Sequence, residues 1–230
     1  MSGLRQNRVR SGTGIPRGLR MSCWSDERRH SQSRSIDERP IDLETKFDQH
    51  VLACVLSLAL EEINVGEATA TEATGLSLAE LRNVLCRNFP AVPVNAFALE
   101  EEKDREPDIE EGLLRDLLLA HARPGSRVSA RFAKIIARRA LRNDHLWQNL
   151  GLFNRAELSR LLATHFPMLA AGNAKNMKWK KYFYRRLCEA EGFSTCLATS
   201  CRECKDFDNC FGSEEGEGPL IRSKGRLGLD

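Results

Sequence analysis

Apolar side chains recur at helical spacing over most of the chain between residues 41 and 192. Phe47, Val51, Val55 and Leu58 follow an i, i+4, i+8, i+11 pattern, which places them on one face of a helix. No segment shows the strict alternation of apolar and polar residues that is typical of half-buried strands. We therefore predict an all-α fold, a helical bundle in which 41–192 forms the helical domain.

Capping signals divide this domain into further helices. Ser77 and Glu80 have the spacing of a capping box, in which each side chain accepts a backbone N–H of the first turn, and they predict a helix that ends near Asn88. The preceding segment, 64–75, is predicted to be a loop. Other helices are predicted over 108–122 and 175–190.

Two of the predicted helices have a clear inner face. The helix that begins at Ser126 or Ser129 is predicted to bury Phe132, Ile135 and Ile136 and to carry Arg139 on another face. In the helix 175–190, one buried stripe is predicted at i, i+4 and i+8: Trp179, Phe183 and Leu187.

An internal similarity links two of these helices. The sequence AELRNVLCRNFP at 79–90 resembles AELSRLLATHFP at 156–167, at a constant offset, and a Gly-Leu pair precedes each copy. This similarity predicts two related helical units within the bundle. Chance convergence of two helix-forming sequences is the alternative.

Both ends of the chain lack apolar periodicity. Residues 1–40 contain nine arginines and no lysine, and we predict a disordered basic arm there. A nucleic-acid arm, an organelle transit segment and an extension upstream of Met21 all stay open for it. Residues 214–230 are predicted to be a disordered tail.

Four cysteines stand close together in the segment 193–213. The run CLATSCRECKDFDNC has the spacing C-x4-C-x2-C-x5-C. Closing such short loops costs little entropy, so one metal centre can be enclosed by this segment alone. Thiolates are soft ligands that select zinc, copper(I) or iron–sulfur centres over hard cations. We therefore predict a metal-binding loop with four candidate ligands: Cys196, Cys201, Cys204 and Cys210.

The spacing leaves the identity of the metal open. Structural zinc sites usually combine two cysteine pairs, and only Cys201 and Cys204 form such a pair here. The C-x4-C-x2-C portion equals the spacing of plant-type ferredoxins, which favours an iron–sulfur centre. Cys188, shortly before the run, is either a fifth thiol or a core residue. His145 and His165 are either ligands or buried structural residues.

Charge and hydropathy limit the remaining classes. Lysines and arginines crowd the predicted helix 175–190, where they are suited to an anionic cargo, to an acidic partner or simply to solvent. Tyr182 and Tyr184 are predicted to point outward, but the net charge of +3 does not by itself indicate nucleic acid. No apolar run reaches the roughly 18 residues that span a membrane, and no signal peptide is evident. We predict a cytoplasmic protein with reduced thiols.

Three segments resemble the NifQ family of nitrogen-fixation proteins. They are 131–152, 166–192 and the cysteine run followed by Phe211 and Gly212. The resemblance implies that Cys196, Cys201, Cys204 and Cys210 bind an iron–sulfur cluster containing molybdenum. It also implies a carrier, not an enzyme, that takes molybdenum from molybdate or another source to the scaffold proteins of nitrogenase cofactor assembly. The alternatives are a zinc-stabilised module that binds protein or nucleic acid, and a ferredoxin-like electron carrier.

Overall fold

The computed structural model describes residues 45–99, 103–190 and 207–214. The chain divides after Arg39, and every described residue belongs to the part that follows, Pro40–Asp230. The regular structure of the described ranges is helical without a strand, which confirms the all-α class. The elements are α1 (Lys46–Asn64), α2 (Ala70–Thr74), α3 (Leu78–Asn88), a 3-10 turn (Val94–Phe97), α4 (Ile109–Ala120), α5 (Arg127–Ala140), α6 (Leu146–Asn149), α7 (Arg155–His165), α8 (Pro167–Gly172), α9 (Trp179–Ala190) and α10 (Phe207–Phe211).

The first helix has the predicted apolar face. Thr45 and Asp48 form a capping box at its start, so two backbone N–H groups of the first turn are satisfied. Val51 and Val55 are buried, with 0% and 1% of their surface exposed, and Leu58 is also buried. The i, i+4, i+8 pattern thus identified the face that α1 packs into the core. None of the helices in the described ranges is long and apolar enough to cross a membrane.

The segment 64–75 was wrongly predicted to be a loop throughout, because it contains α2. Thr69 and Glu72 cap this short helix reciprocally. Its buried side chains include Ala70 and Ala73, which are fully buried and allow α2 to pack closely against α1 and α5. Alanine and threonine give no strong apolar periodicity, so this helix is stabilised by its capping box and by packing against α1 and α5.

The capping predictions for the later helices are confirmed. Ser77 and Glu80 form the capping box of α3, and α3 ends at Asn88. Ser126 is the N-cap of α5, because its side chain accepts from the backbone N–H of Ser129 at 3.0 Å. The three predicted inner residues of α5 are fully buried: Phe132, Ile135 and Ile136.

The two similar sequences adopt the same local structure. Helices α3 and α7 both have 11 residues, and each follows a short helix and a glycine with positive φ. Their C-caps, Phe89 and Phe166, have almost equal backbone angles, with φ of −134° and −133° and ψ of 55° and 58°. The units α1–α2–α3 and α5–α6–α7 therefore repeat one arrangement, as the sequence similarity predicted.

The two units also pack on each other reciprocally. A Cβ atom added to Gly75 of the first unit would lie 2.8 Å from the carbonyl oxygen of Lys134 in α5. A Cβ atom added to Gly151 of the second unit would lie 2.9 Å from the carbonyl oxygen of Cys54 in α1. Each glycine thus sits against the long helix of the other unit. This reciprocity supports an internal duplication.

Replacing Gly151 by alanine should destabilise the fold strongly. Gly151 has φ of 71°, a conformation that costs an L-residue about 1–2 kcal/mol, and the added methyl group would meet the α1 backbone. We expect the free energy of unfolding to fall by at least about 2 kcal/mol in urea titrations. Gly112→Ala is the matched control, because nothing lies within 4 Å of a Cβ atom at that position in α4. Equal stability of the two variants would contradict the close packing.

One residue of α5 lies on a different face from the one predicted. Arg139 was placed outside the inner stripe, but only 1% of its surface is exposed. Its Nη1 donates to Oε1 of Glu62 in α1, and Arg142 binds the other carboxylate oxygen. Burial lowers the pKa of Arg139, and the Glu62 carboxylate opposes that shift. Arg139 is therefore buried because it pairs with Glu62 of the other helical unit, although apolar periodicity alone predicts that it faces solvent.

Candidate metal centre

The structure describes one of the four candidate ligands. Cys210 lies in α10, within the segment 207–214, which we call the C-terminal strap. Cys196, Cys201 and Cys204 lie outside the described residues, as does most of the predicted loop. Within the described ranges, three potential His, Cys, Asp or Glu ligands do not come together anywhere. At the candidate centre, the structure therefore describes Cys210 and the residues that hold the strap in place.

Lys178 attaches the strap to the helical body. Its backbone N–H donates to the carbonyl oxygen of Cys210 at 2.8 Å. Its ammonium group donates to the carbonyl oxygen of Asp208 at 2.9 Å. Inside the strap, the N–H of Gly212 closes a helical turn onto the same Asp208 oxygen. The backbone of the candidate ligand is thus hydrogen-bonded to the residue that precedes α9.

The far end of the strap is held by charge. The Glu214 carboxylate binds Nη1 of Arg155 through one oxygen and lies 3.2 Å from Nδ1 of His145 through the other. Only 6% of the Glu214 side chain is exposed, so this ion pair is shielded from solvent. His145, a possible metal ligand by sequence, instead lies beside this carboxylate at the start of α6.

A cleft of about 480 Å³ adjoins the strap. Its lining includes Phe211, the residue after Cys210, and residues of the α6–α7 region. The indole N–H of Trp147 is buried and has no acceptor among the described residues. Open space therefore lies next to the part of the strap that follows the candidate ligand. The lining combines aromatic and polar groups: Trp147, Phe153, Asn154, Arg155, Ala156, Asn176, Phe211, Gly212, Ser213 and Glu214.

The basic helix before the cysteine run is shorter than predicted. It begins at Trp179 instead of 175, and Trp179, Phe183 and Leu187 form the expected inner stripe. Tyr182 is buried and not outward-facing, since only 6% of its surface is exposed. Tyr184 donates its hydroxyl proton to Glu110. Burial thus excludes Tyr182 from stacking on nucleic-acid bases, and Tyr184 is half-buried with its hydroxyl engaged.

The cations of α9 are partly neutralised or engaged. Arg185 and Arg186 both bind Glu189, three or four residues later in the same helix. Lys180 is half-buried and donates to the carbonyl oxygen of Arg142, and burial lowers its pKa to about 8. The exposed positive charge in this region therefore belongs mainly to lysines at the start of the helix and before it: Lys175 and Lys181.

The structure describes three further cysteines, of which one lies in the core. Cys54 is buried in α1, and burial with the nearby Glu157 raises its pKa to about 11, so it is a protonated core thiol. Cys86 is only half-buried. Cys188 is a half-buried thiol on α9, which leaves both predicted roles open for it.

The structure assembles one constellation that the sequence did not suggest. Nδ1 of His165 accepts from the Ser129 hydroxyl, and its Nε2–H donates to the Asp48 carboxylate, each at 3.0 Å. All three side chains are buried, and Asp48 also caps α1. The chain of hydrogen bonds joins α1, α5 and α7 in the core, where substrate has no access. His165 is therefore a structural residue, and its partners come from distant parts of the sequence, so spacing gave no signal.

The fold and the strap together define a helical protein that carries a cysteine-bearing C-terminal segment on a rigid body. A sequence model of the NifQ family matches residues 51–212, and the chain belongs to this family. It is 62% identical to the NifQ homolog of Sinorhizobium fredii, over 94% of this chain and 95% of that protein. It is 36% identical to NifQ of Rhodobacter capsulatus, over 70% of this chain and 87% of that protein. No solved structure matches the fold. Family membership associates the chain with nitrogen fixation.

Proposed function

We propose that the protein carries molybdenum in an iron–sulfur cluster and supplies it for the iron–molybdenum cofactor of nitrogenase. The four thiols of the C-x4-C-x2-C-x5-C run carry this proposal: Cys196, Cys201, Cys204 and Cys210. Thiolates bind iron–sulfur centres well, and membership in the NifQ family places the chain in nitrogen fixation. The cargo is a substrate that the protein receives and gives away.

The described residues fit a carrier. Cys210 offers a soft sulfur donor on a strap that the helical body holds in place. In this proposal the thiolates retain the iron, whereas molybdenum has few protein ligands and stays exchangeable. We also propose that the protein acts without catalytic turnover, in the cytoplasm. Its partners in this proposal are molybdate or another source of molybdenum, and a scaffold protein of cofactor assembly.

Metal analysis of the full chain purified without oxygen tests the proposal. We expect iron together with molybdenum, a brown colour and visible absorption from sulfur-to-iron charge transfer. A colourless protein with stoichiometric zinc would instead support the interaction module, which chelators should unfold. Reversible one-electron reduction without release of molybdenum to a recipient would support the electron carrier. Either result would overturn the carrier proposal.

We also propose that the recipient protein docks on the exposed lysines near α9, and this docking can be tested by charge reversal. We expect the double variant Lys175→Glu, Lys181→Glu to keep its iron and molybdenum but to transfer molybdenum more slowly to the recipient, because its charge no longer attracts an acidic face. The wild-type rate should fall as ionic strength rises. The charge-matched control is Lys46→Glu, Lys103→Glu, at exposed positions elsewhere. Equal transfer rates for both double variants would exclude this docking surface. Lys178 is left unchanged because it holds the strap.

A further inference from the structure

Two attachments hold the strap on either side of the candidate ligand. Lys178 binds the carbonyl oxygens of Asp208 and Cys210. Four residues later, Glu214 is bound by Arg155. A cysteine whose backbone is held on both sides has few positions for its sulfur, because only rotation between staggered χ1 positions remains.

Arg155 connects these two attachments. Its Nη1 binds Glu214, while its Nη2 donates to the carbonyl oxygens of Asn176 at 3.1 Å and Met177 at 2.8 Å. These two residues directly precede Lys178. A planar guanidinium group can serve several acceptors at fixed angles, which an ammonium group cannot do. The Arg155 side chain therefore fixes the position of the turn before Lys178 and also that of the Glu214 carboxylate at the end of the strap.

The turn that Arg155 contacts is itself closely determined. The Asn173 side chain accepts from the N–H of Met177 at 2.9 Å and donates to its carbonyl oxygen at 2.8 Å. Asn176 has φ of 55°, in the left-handed region, and its side-chain oxygen also accepts from Arg155 at 3.0 Å. A left-handed residue other than glycine persists where its surroundings over-determine it. The turn therefore presents the Lys178 N–H from a fixed position.

We propose that Arg155 is a positioning residue for the metal centre. By tying Glu214 to the turn before Lys178, it presets where the Cys210 thiolate meets the bound cluster. The inference rests on the proposed function, since it requires Cys210 to be a ligand. Groups that orient metal ligands without touching the metal change affinity by about 10- to 100-fold when they are removed.

Two substitutions of Arg155 test this role in the metal-loaded full chain. We expect Arg155→Met to lower the iron affinity, measured by chelator competition, by about 10- to 100-fold and to alter the electron paramagnetic resonance spectrum. Arg155→Lys should restore part of the affinity, because it keeps the positive charge beside Glu214 but loses the guanidinium donors that bind Asn176 and Met177. The matched control is Arg160→Met, on the same helix, where the guanidinium lies over the Phe47 ring and away from the strap. Equal affinities and spectra for the two methionine variants would overturn the role.

A second measurement separates this inference from the function on which it rests. In metal-free protein, the alkylation rate of Cys210 is followed by peptide mapping, with Cys188 as the internal reference. Arg155→Met should raise the Cys210 rate several-fold and leave that of Cys188 unchanged. If Arg155→Met unfolds the chain, Glu214→Gln replaces it, because it releases the strap and keeps the bonds from Arg155 to the turn. An unchanged Cys210 rate overturns the inference, whereas absence of iron from the wild-type protein overturns the proposed function.

Discussion

Replacement of both Cys201 and Cys204 by serine should remove nearly all bound iron and molybdenum from the protein. A serine hydroxyl is a harder donor and stays protonated near neutral pH, so it does not replace a thiolate at an iron–sulfur centre. Two of the four candidate ligands are lost together, and two thiols cannot retain a cluster that needs three or four. Elemental analysis and visible absorption of anaerobically purified protein measure the loss.

The same experiment needs a control for cysteine loss in general. Cys188→Ser removes a half-buried thiol from α9, just before the run, and leaves all four candidate ligands in place. We expect it to retain iron and molybdenum at the wild-type ratio; a lower ratio would identify Cys188 as a fifth ligand. Full metal content in the Cys201, Cys204 double variant would exclude the cysteine run as the metal site.

Replacement of Glu111 by glutamine should have the largest effect on stability. The Glu111 side chain is fully buried at the start of α4, where it binds Arg105 and Arg115 and lies 3.7 Å from Arg138. Removing the carboxylate leaves three guanidinium groups together without their counter-charge. Breaking a buried ion pair from one side costs about 3–5 kcal/mol, because the remaining charge is left uncompensated.

Thermal and urea unfolding measure this effect. For a chain of this size we expect the melting temperature to fall by roughly 10 °C. Asp116→Asn makes the same chemical change at an exposed position of the same helix and should alter stability by less than about 0.5 kcal/mol. Similar stability of the two variants would show that the three arginines do not depend on Glu111.

Local signals in the sequence were sufficient to locate most helices. Ser77, Asp108 and Ser126 each cap the helix that follows, because a short polar side chain satisfies backbone N–H groups within three residues. The inner stripe of α9 was likewise visible from spacing. The start of α9 was misplaced because Asn173 and Asn176 form a turn there, and the turn depends on contacts with Arg155 that spacing does not encode.

Only the ligands of the candidate site could be predicted from the sequence, because they lie close together along the chain. Four cysteines within fifteen residues indicate a metal loop in any fold, since the donors are joined by short chain segments. The supports of Cys210 could not be predicted in this way. Arg155 and Glu214 are far apart in the sequence, and neither belongs to a recognisable motif.

The sequence by itself determined the helical class, the capped helices, the cysteine run and membership in the NifQ family, because each depends on residues within a few turns of chain or on similarity to relatives. The two similar helical sequences only predicted a duplication, which the reciprocal packing of Gly75 and Gly151 supports. Only the tertiary structure decided which polar groups lie inside. Arg139, Glu111 and His165 are buried because partners on other helices satisfy them, and Arg155 holds the strap because folding brings Glu214 to it. Such pairings balance the cost of burying charge across long sequence separations, so they follow from packing and not from local pattern.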